Sequence, residues 1–329
     1  MPRQARLDMP GALHHIMVRG IDKTDIFRDD QDRRLFLDRL GLTVSSGNNA
    51  VYAWALMRNH VHILFRSGKG GISVTMRKLL TWYAQYFNRR HKRTGHLFEN
   101  RYKSILCDED NYLLALVRYI HLNPLRVKVV KTVEELERYS WTGHRTITGK
   151  EKYPWMDVAS ILSQFGDTRR KALNEYRRFV REGAGQGTVK ELTGGGLIRS
   201  RGGWSQVLSN QRRGKIEEFD QRILGGGDFV HHVLKTAEER QLRQLKNRHT
   251  GETLQKIIDE ECAKRGLSGT ELQGGGRRRV VSEMRTTIAL RAREELGLSA
   301  AAVAREVGVS TSAITKAMAA KEQKGSTGN

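Results

Sequence analysis

The sequence predicts an α+β chain: a ferredoxin-like antiparallel sheet with helices covering one face, followed by an all-α domain containing a helix-turn-helix. Three observations predict it. Over residues 1–150, short apolar runs alternate with 3.6-residue periodicity in the order strand, helix, strand, strand, helix, strand, helix. Residues 183–203 are rich in glycine and poor in large apolar side chains. The last hundred or so residues regain helical periodicity without strand-like alternation.

The first unit opens with a basic arm around Arg3 and Arg6, then an apolar strand near residues 13–20. Asp29 and Asp30 precede a helical pattern through Leu35, Phe36, Leu37 and Leu40, which fades at Gly47-Asn48-Asn49. Two strands follow, Val51 to Met57 and His60 to Phe65, joined by a tight turn at Arg58-Asn59. Gly68, Gly70 and Gly71 release the chain into a long helix. Its stretch Leu79 to Arg93 interleaves Trp82, Tyr83, Tyr86 and Phe87 with basic residues. Such interleaving suits a nucleic-acid strand, whose bases stack while its phosphates pair. It equally suits a helix whose aromatics face the sheet. A fourth strand around Leu97 to Leu106 leads into a helix opened by Asp108, Glu109 and Asp110, which Pro124 ends at the preceding residue.

The expected organisation is a first domain at 1–150, a basic, glycine-rich linker region at 151–227, and a helical domain at 228–329. Within the last, residues 299–319 fit a helix-turn-helix. Ser299 caps the first helix, Ala304 is small where the helices cross, and Gly308 makes the turn. Val303, Val307, Val309 and Ile314 fill the space between. Thr311, Ser312, Thr315 and Lys316 then lie on the second helix, placed to face bases or phosphates.

The formal net charge is +22 and the sequence pI about 10.3, more than solubility requires, so a polyanionic partner is expected. Nucleic acid fits better than membrane, because no basic amphipathic helix adjoins a hydrophobic anchor. No apolar run approaches a spanning length, and Met1-Pro2-Arg3-Gln4 does not lead into a signal-peptide core. A soluble, cytoplasmic, nucleoid-associated protein is expected, as monomer or homodimer. Cys107 and Cys262 are far apart and read as reduced thiols.

The chemistry concentrates in two stretches. Asn59-His60-Val61-His62-Ile63-Leu64-Phe65 sets two imidazoles one residue apart on an apolar strand, hence on one face. Neutral imidazole is a good ligand for a divalent metal. Taken alone, a His-x-His strand more often carries surface or hydrogen-bonded histidines. The second stretch, Asn111 to Pro124, places Tyr119 and Asn123 four apart, one helical turn from each other. A core tyrosine with an asparagine finishing the helix would look the same. Together, however, the stretches offer three metal ligands (His60, His62, Asn123) and a nucleophile (Tyr119), the chemistry of a nuclease that attacks DNA covalently.

These residues resemble the REP-associated tyrosine transposases, single-tyrosine members of the histidine-hydrophobe-histidine (HUH) endonucleases. The resemblance spans roughly the first 145 residues and rests on an ordered set of motifs. They are Leu13-His14-His15-Ile16-Met17-Val18-Arg19-Gly20, Val51 to Met57, His60-Val61-His62, Gly95 to Lys103, and Tyr119 to Pro124. It implies that Tyr119 is the nucleophile, that His60 and His62 are metal ligands, and that Asn123 falls where the family takes its third ligand. It also implies Mg²⁺ or Mn²⁺ as cofactor, a 5′-phosphotyrosine intermediate, and single-stranded DNA beside a palindromic, REP-like hairpin as substrate. DNA contacts are expected from Arg77, Lys78, Arg89, Arg90, Arg101 and Lys103.

The segment Thr253 to Ala320 also resembles the C-terminal DNA-binding domain of the replication initiator DnaA. The features are the helix Leu254 to Arg265, the basic turn Arg277-Arg278-Arg279, and the helix Val280 to Leu296 before the helix-turn-helix. The initiator's Asp-His-Ser-Thr signature is replaced by Val309-Ser310-Thr311-Ser312, so duplex DNA of another sequence is implied. Two other classes stay open: a non-catalytic DNA-binding regulator retaining the transposase fold, and a metal hydrolase of small substrates, which the charge disfavours.

Overall fold

The structure is a computed structural model that describes residues 7–68, 70–185, 192, 220–249, 253–274, 276 and 278–324. It divides into two compact units, 1–231 and 232–329.

In the first unit, β1 (Leu13–Arg19), β2 (Ala50–Leu56), β3 (His60–Arg66) and β4 (Lys103–Cys107) form an antiparallel sheet in the order β2-β3-β1-β4, which is the split βαβ pattern. A short β5 (Ile223–Leu224) adds to β4 in parallel. Between the strands run α1 (Asp30–Ser45) and α2 (Ile72–Arg90), and β4 is followed by α3 (Glu109–His121). The Asp29 carboxylate caps α1 by accepting the Asp32 N–H at 3.1 Å. Asp8 does the same for α2, accepting from the N–H groups of Ile72 and Ser73 at 2.8 and 3.0 Å. The β2–β3 connection is the tight turn expected at Arg58-Asn59, closed by the Met57 N–H donating to His60 O at 2.9 Å.

Helices cover both faces of the sheet, where the sequence led us to expect one. Trp54 pairs with Ile63 across β2 and β3, and its ring packs on Trp155, which in turn lies against Gly41 of α1. Tyr83 of α2 packs edge-on to Phe36 of α1, centroids 5.0 Å apart. The alternate positions, Ala55 and His62, face α3. With both faces covered, β2 and β3 are buried nearly end to end and read as continuous apolar runs. The expected fourth strand at 97–106 is shorter. Its first half loops across the end of β1, with a bridge between Gly20 and Phe98.

The first unit also runs past residue 150. α4 (Asn123–Arg126), α5 (Val133–Arg138), α6 (His144–Ile147), α7 (Val158–Leu162) and α8 (Arg169–Ala184) follow α3. Ala172, Tyr176, Val180 and Gly183 form the buried stripe of α8, and the first three join the sheet's core. The stretch expected as linker at 151–227 is therefore packed structure in its first part. A one-residue-wide apolar stripe amid arginines is easily read as a solvated basic helix.

The second unit has its own core, drawn from Leu254–Arg265, Gly269–Gln273, Arg279–Glu295, Ala300–Glu306 and Thr311–Lys324. Ser299 caps the helix Ala300–Glu306 by accepting the Ala302 N–H at 3.1 Å. Val303, Ala304, Val307 and Ile314 are buried, as the sequence led us to expect. Gly308 has φ +67°, and a Cβ there would collide with the Gln273 carbonyl oxygen. Both cysteines are buried and neither is in a disulfide. Among the described residues no helix is long and apolar enough to cross a membrane.

Candidate active site

His60 and His62 stand on β3, an interior strand, opposite Arg19 and Met17 of β1. Across β2, His62 is opposite Ala55, and the small side chain gives α3 room to approach. α3 carries Glu109 and Asp110 in its first turn, where carboxylates meet the positive end of the helix dipole. Leu116, Val117 and Ile120 are fully buried and seat the helix on the sheet. Tyr119 is 5% exposed. Its ring meets His62 edge-on at 6.1 Å and His15 at 5.8 Å between centroids. His60 and His62 are themselves edge-on at 5.3 Å. Tyr112, the other tyrosine of α3, is half-buried against the core and makes no ring contact with these histidines.

Three of the four residues singled out in the sequence thus meet on one face. The fourth, Asn123, is buried nearby in sequence but not within α3. Pro124 has no N–H, the hydrogen-bond ladder breaks, and Asn123 is the first residue of α4. Its Nδ2 is buried without a hydrogen-bond partner.

The histidines are in the form a metal requires. Burial lowers the pKa of His60 to about 4, helped by the Arg19 charge. It lowers His62 well below the usual range, helped by the neighbouring imidazoles and Arg19. Each ring has Nδ1 already engaged. That of His60 faces the Asn59 Oδ1 acceptor at 2.7 Å and that of His62 faces His15 Nε2 at 2.9 Å. Two neutral imidazoles on one face of β3, each with Nδ1 engaged, fit a divalent ion whose coordination is completed by oxygen ligands such as phosphate or water. Among the described residues there is no group of three or more His, Cys, Asp or Glu that could hold a metal by itself.

Two residues at the site were not singled out from the sequence. His15 is fully buried on β1 and touches both His62 and Tyr119. Arg126 lies over the Tyr119 ring, 4.9 Å from its centroid, and donates to Tyr119 O at 3.2 Å. Burial lowers its pKa. The signal for His15 was its place on the strand beside β3, but the adjacent His14-His15 pair does not say which ring faces which side without the register.

The basic residues separate into groups. Arg77 and Arg101 are exposed and line one groove of about 890 Å³ between α2 and residues 95–102. Arg89 and Lys103 are exposed, and Lys78 is half-buried. Arg90 is bound to Asp29 and the buried Asp32, an ion-pair cluster that ties α1 to α2. Of the α2 aromatics, Tyr83 and Phe87 are fully buried, and Trp82 stacks on Tyr86 with Arg39 over it. These rings face the protein, the second of the two readings given above. In the second unit Arg278 pairs with Glu271 and Arg279 with Glu283, while Arg277 lies outside the described residues. Thr311, Ser312 and Lys316 are exposed. Thr315 is half-buried and donates to Thr311 O.

The comparisons bear on the segment that holds this cluster. Residues 10–123 match the family model described as Transposase IS200 like. The matched segment runs from just before β1 to Asn123 and contains His15, His60, His62 and Tyr119. A solved structure of a REP-associated tyrosine transposase bound to a REP hairpin is similar at 16% identity and a TM-score of 0.35, covering 48% of this chain and 93% of that one. Curated proteins give no match.

Proposed function

We propose that this protein is a metal-dependent tyrosine transposase: an endonuclease and strand transferase acting on single-stranded DNA beside a palindromic hairpin. The observation that carries this reading is the meeting of Tyr119 with His62 and His15 on the α3 face of the sheet. Tyr119 supplies the attacking oxygen. Its bond to phosphorus forms as the bond to the 3′ oxygen breaks, leaving a 5′-phosphotyrosine and a free 3′ hydroxyl. The phosphoester is conserved, so the cut is reversible onto another end. His60, His62 and Asn123 would hold Mg²⁺ or Mn²⁺, which when bound polarises the scissile phosphate. The Arg126 guanidinium, which lies over the Tyr119 ring, would stabilise negative charge on the phenol as its proton passes to the leaving 3′ oxygen.

Strand binding falls to Arg77 and Arg101 in their shared groove, with Lys78, Arg89 and Lys103 nearby in sequence. Arg90, held by two carboxylates, contributes to folding instead. The second unit supplies duplex binding through Thr311, Ser312 and Lys316 on its last helix, with Arg278 and Arg279. The test is incubation with a hairpin carrying a single-stranded flank and Mn²⁺, followed by a denaturing gel. A protein-linked DNA band is expected. Retarded DNA on a native gel with no covalent band would leave the non-catalytic regulator as the better reading.

A further inference from the structure

A histidine binds a metal through one ring nitrogen, and whichever group takes the other nitrogen decides which one is available. For His60 that choice is settled by chemistry: Asn59 Oδ1 accepts at 2.7 Å, so Nδ1 carries the hydrogen and Nε2 the lone pair. For His62 the partner is a second imidazole, His15, whose Nε2 lies 2.9 Å from His62 Nδ1 with the rings stacked at 28°. An imidazole nitrogen either donates or accepts, and the two directions have opposite consequences. If His15 donates, His62 carries its own hydrogen on Nε2 and cannot ligate through it. If His15 accepts, His62 Nε2 is a bare lone pair. His15 sits on β1, fully buried, and its contact with His62 runs across the two central strands of the sheet, so neither ring can swing away.

We propose that His15 is a positioning residue for the metal site: its Nε2 accepts the Nδ1–H of His62 and so holds His62 in the tautomer that presents Nε2. The inference rests on reading His60 and His62 as metal ligands. In that arrangement both ligands are oriented alike, each through Nδ1, one by the carboxamide of the preceding residue and the other from the next strand. With Nε2 accepting from His62, the hydrogen of His15 is on Nδ1, so neither nitrogen has a lone pair left for a metal and His15 does not itself ligate. The same ring stands edge-on to Tyr119, so one side chain sets both the ligand and the wall against which the nucleophile's ring rests.

The test has two readouts on the full chain without DNA. The first is a two-bond ¹H–¹⁵N correlation spectrum of the metal-free protein near pH 7.5, with His62 assigned by the peaks lost in His62→Ala. The Nδ1–H tautomer is expected, and an Nε2–H tautomer for His62 overturns the proposal whatever the metal does. The second is Mn²⁺ affinity by titration calorimetry. His15→Leu removes the acceptor and should weaken binding by about 10–100-fold. His15→Gln, whose Oε1 reaches about as far as Nε2, should restore affinity to within about threefold by the same reasoning. Equal affinity of His15→Leu and wild type overturns the proposal, as does failure of Gln to restore it. His60→Ala is the control on the underlying reading. If it leaves Mn²⁺ binding unchanged, the ligand assignment fails, while the His62 spectrum still decides the direction of the hydrogen bond. If His15→Leu does not fold, judged by its thermal melt, the spectrum and the Gln variant carry the decision.

Discussion

Replacing Tyr176 by Phe tests whether α8 belongs to the same fold as the candidate site. The Tyr176 hydroxyl lies 2.8 Å from His121 Nδ1 and 2.9 Å from His144 Nδ1, and all three side chains are buried. Burial keeps both imidazoles neutral: it lowers His144 to about 4 and His121 well below the usual range. The hydroxyl therefore donates to one Nδ1 and accepts from the other. Phe keeps the ring and leaves no cavity, but it strands two Nδ1 atoms in a place where each Nε2 already lacks a partner. Each stranded group costs about 1–3 kcal/mol, so the loss is about 2–6 kcal/mol. For a unit of this size that lowers Tm by about 4–8 °C even at the smaller figure. All 5 tryptophans precede residue 232, so intrinsic fluorescence follows the first unit alone. A Tm within about 1 °C of wild type would refute the claim that the Tyr176 hydroxyl ties α8 to His121 and His144.

Four further outcomes follow from the structure. His14 and His144 have folded pKa values lowered by burial to about 4, so the unfolded chain takes up their protons first as pH falls below about 6.5. Their stabilisation is whole above that pH and lost toward 4, about 2 kcal/mol each at pH 5, and a fluorescence Tm unchanged between pH 7.5 and 5 would contradict it. Gly308→Ala imposes a left-handed Ala and a collision with Gln273, a cost above about 1–2 kcal/mol. Hydrogen exchange should quicken in Ala300–Glu306 while the tryptophan melt stays put; exchange unchanged there would show that the turn tolerates a side chain. A fragment ending at residue 231 should still form the DNA adduct, whereas one ending at 150 lacks Tyr176 and should melt lower and react poorly. The 231-residue fragment should also bind hairpin DNA with a shallower salt dependence than the full chain, and equal slopes would mean that the second unit makes no phosphate contacts there.

The sheet and the site were legible in the sequence to different depths. His60 and His62 were visible because strand alternation puts them on one face whatever the partner strands do. Tyr119 stood out through its four-residue spacing to Asn123 and through the resemblance that the ordered motifs carry. His15 and Arg126 were not, since the first depends on the β1–β3 register and the second on a chain that turns at Pro124 and packs back over Tyr119. The arginines of α2 looked alike in sequence, and only the position of Asp29 and Asp32 at the start of α1 separates Arg90 from Arg77. The role of α8 was hidden for a similar reason: Tyr176 acquires meaning only beside His121 and His144, which are 55 and 32 residues away.

The central claim is that Tyr119 is a nucleophile, and a denaturing gel of the protein with 5′-labelled or 3′-labelled hairpin DNA and Mn²⁺ tests it most directly. Wild type should give a protein-linked band with the 3′-labelled strand only, since the bond is to the 5′ phosphate of the downstream piece, and the band should vanish in EDTA. Tyr119→Phe should abolish the band while DNA affinity stays within about twofold, because one oxygen is lost and the surface is kept. Tyr112→Phe should leave the band intact. A covalent band that survives Tyr119→Phe would contradict the account.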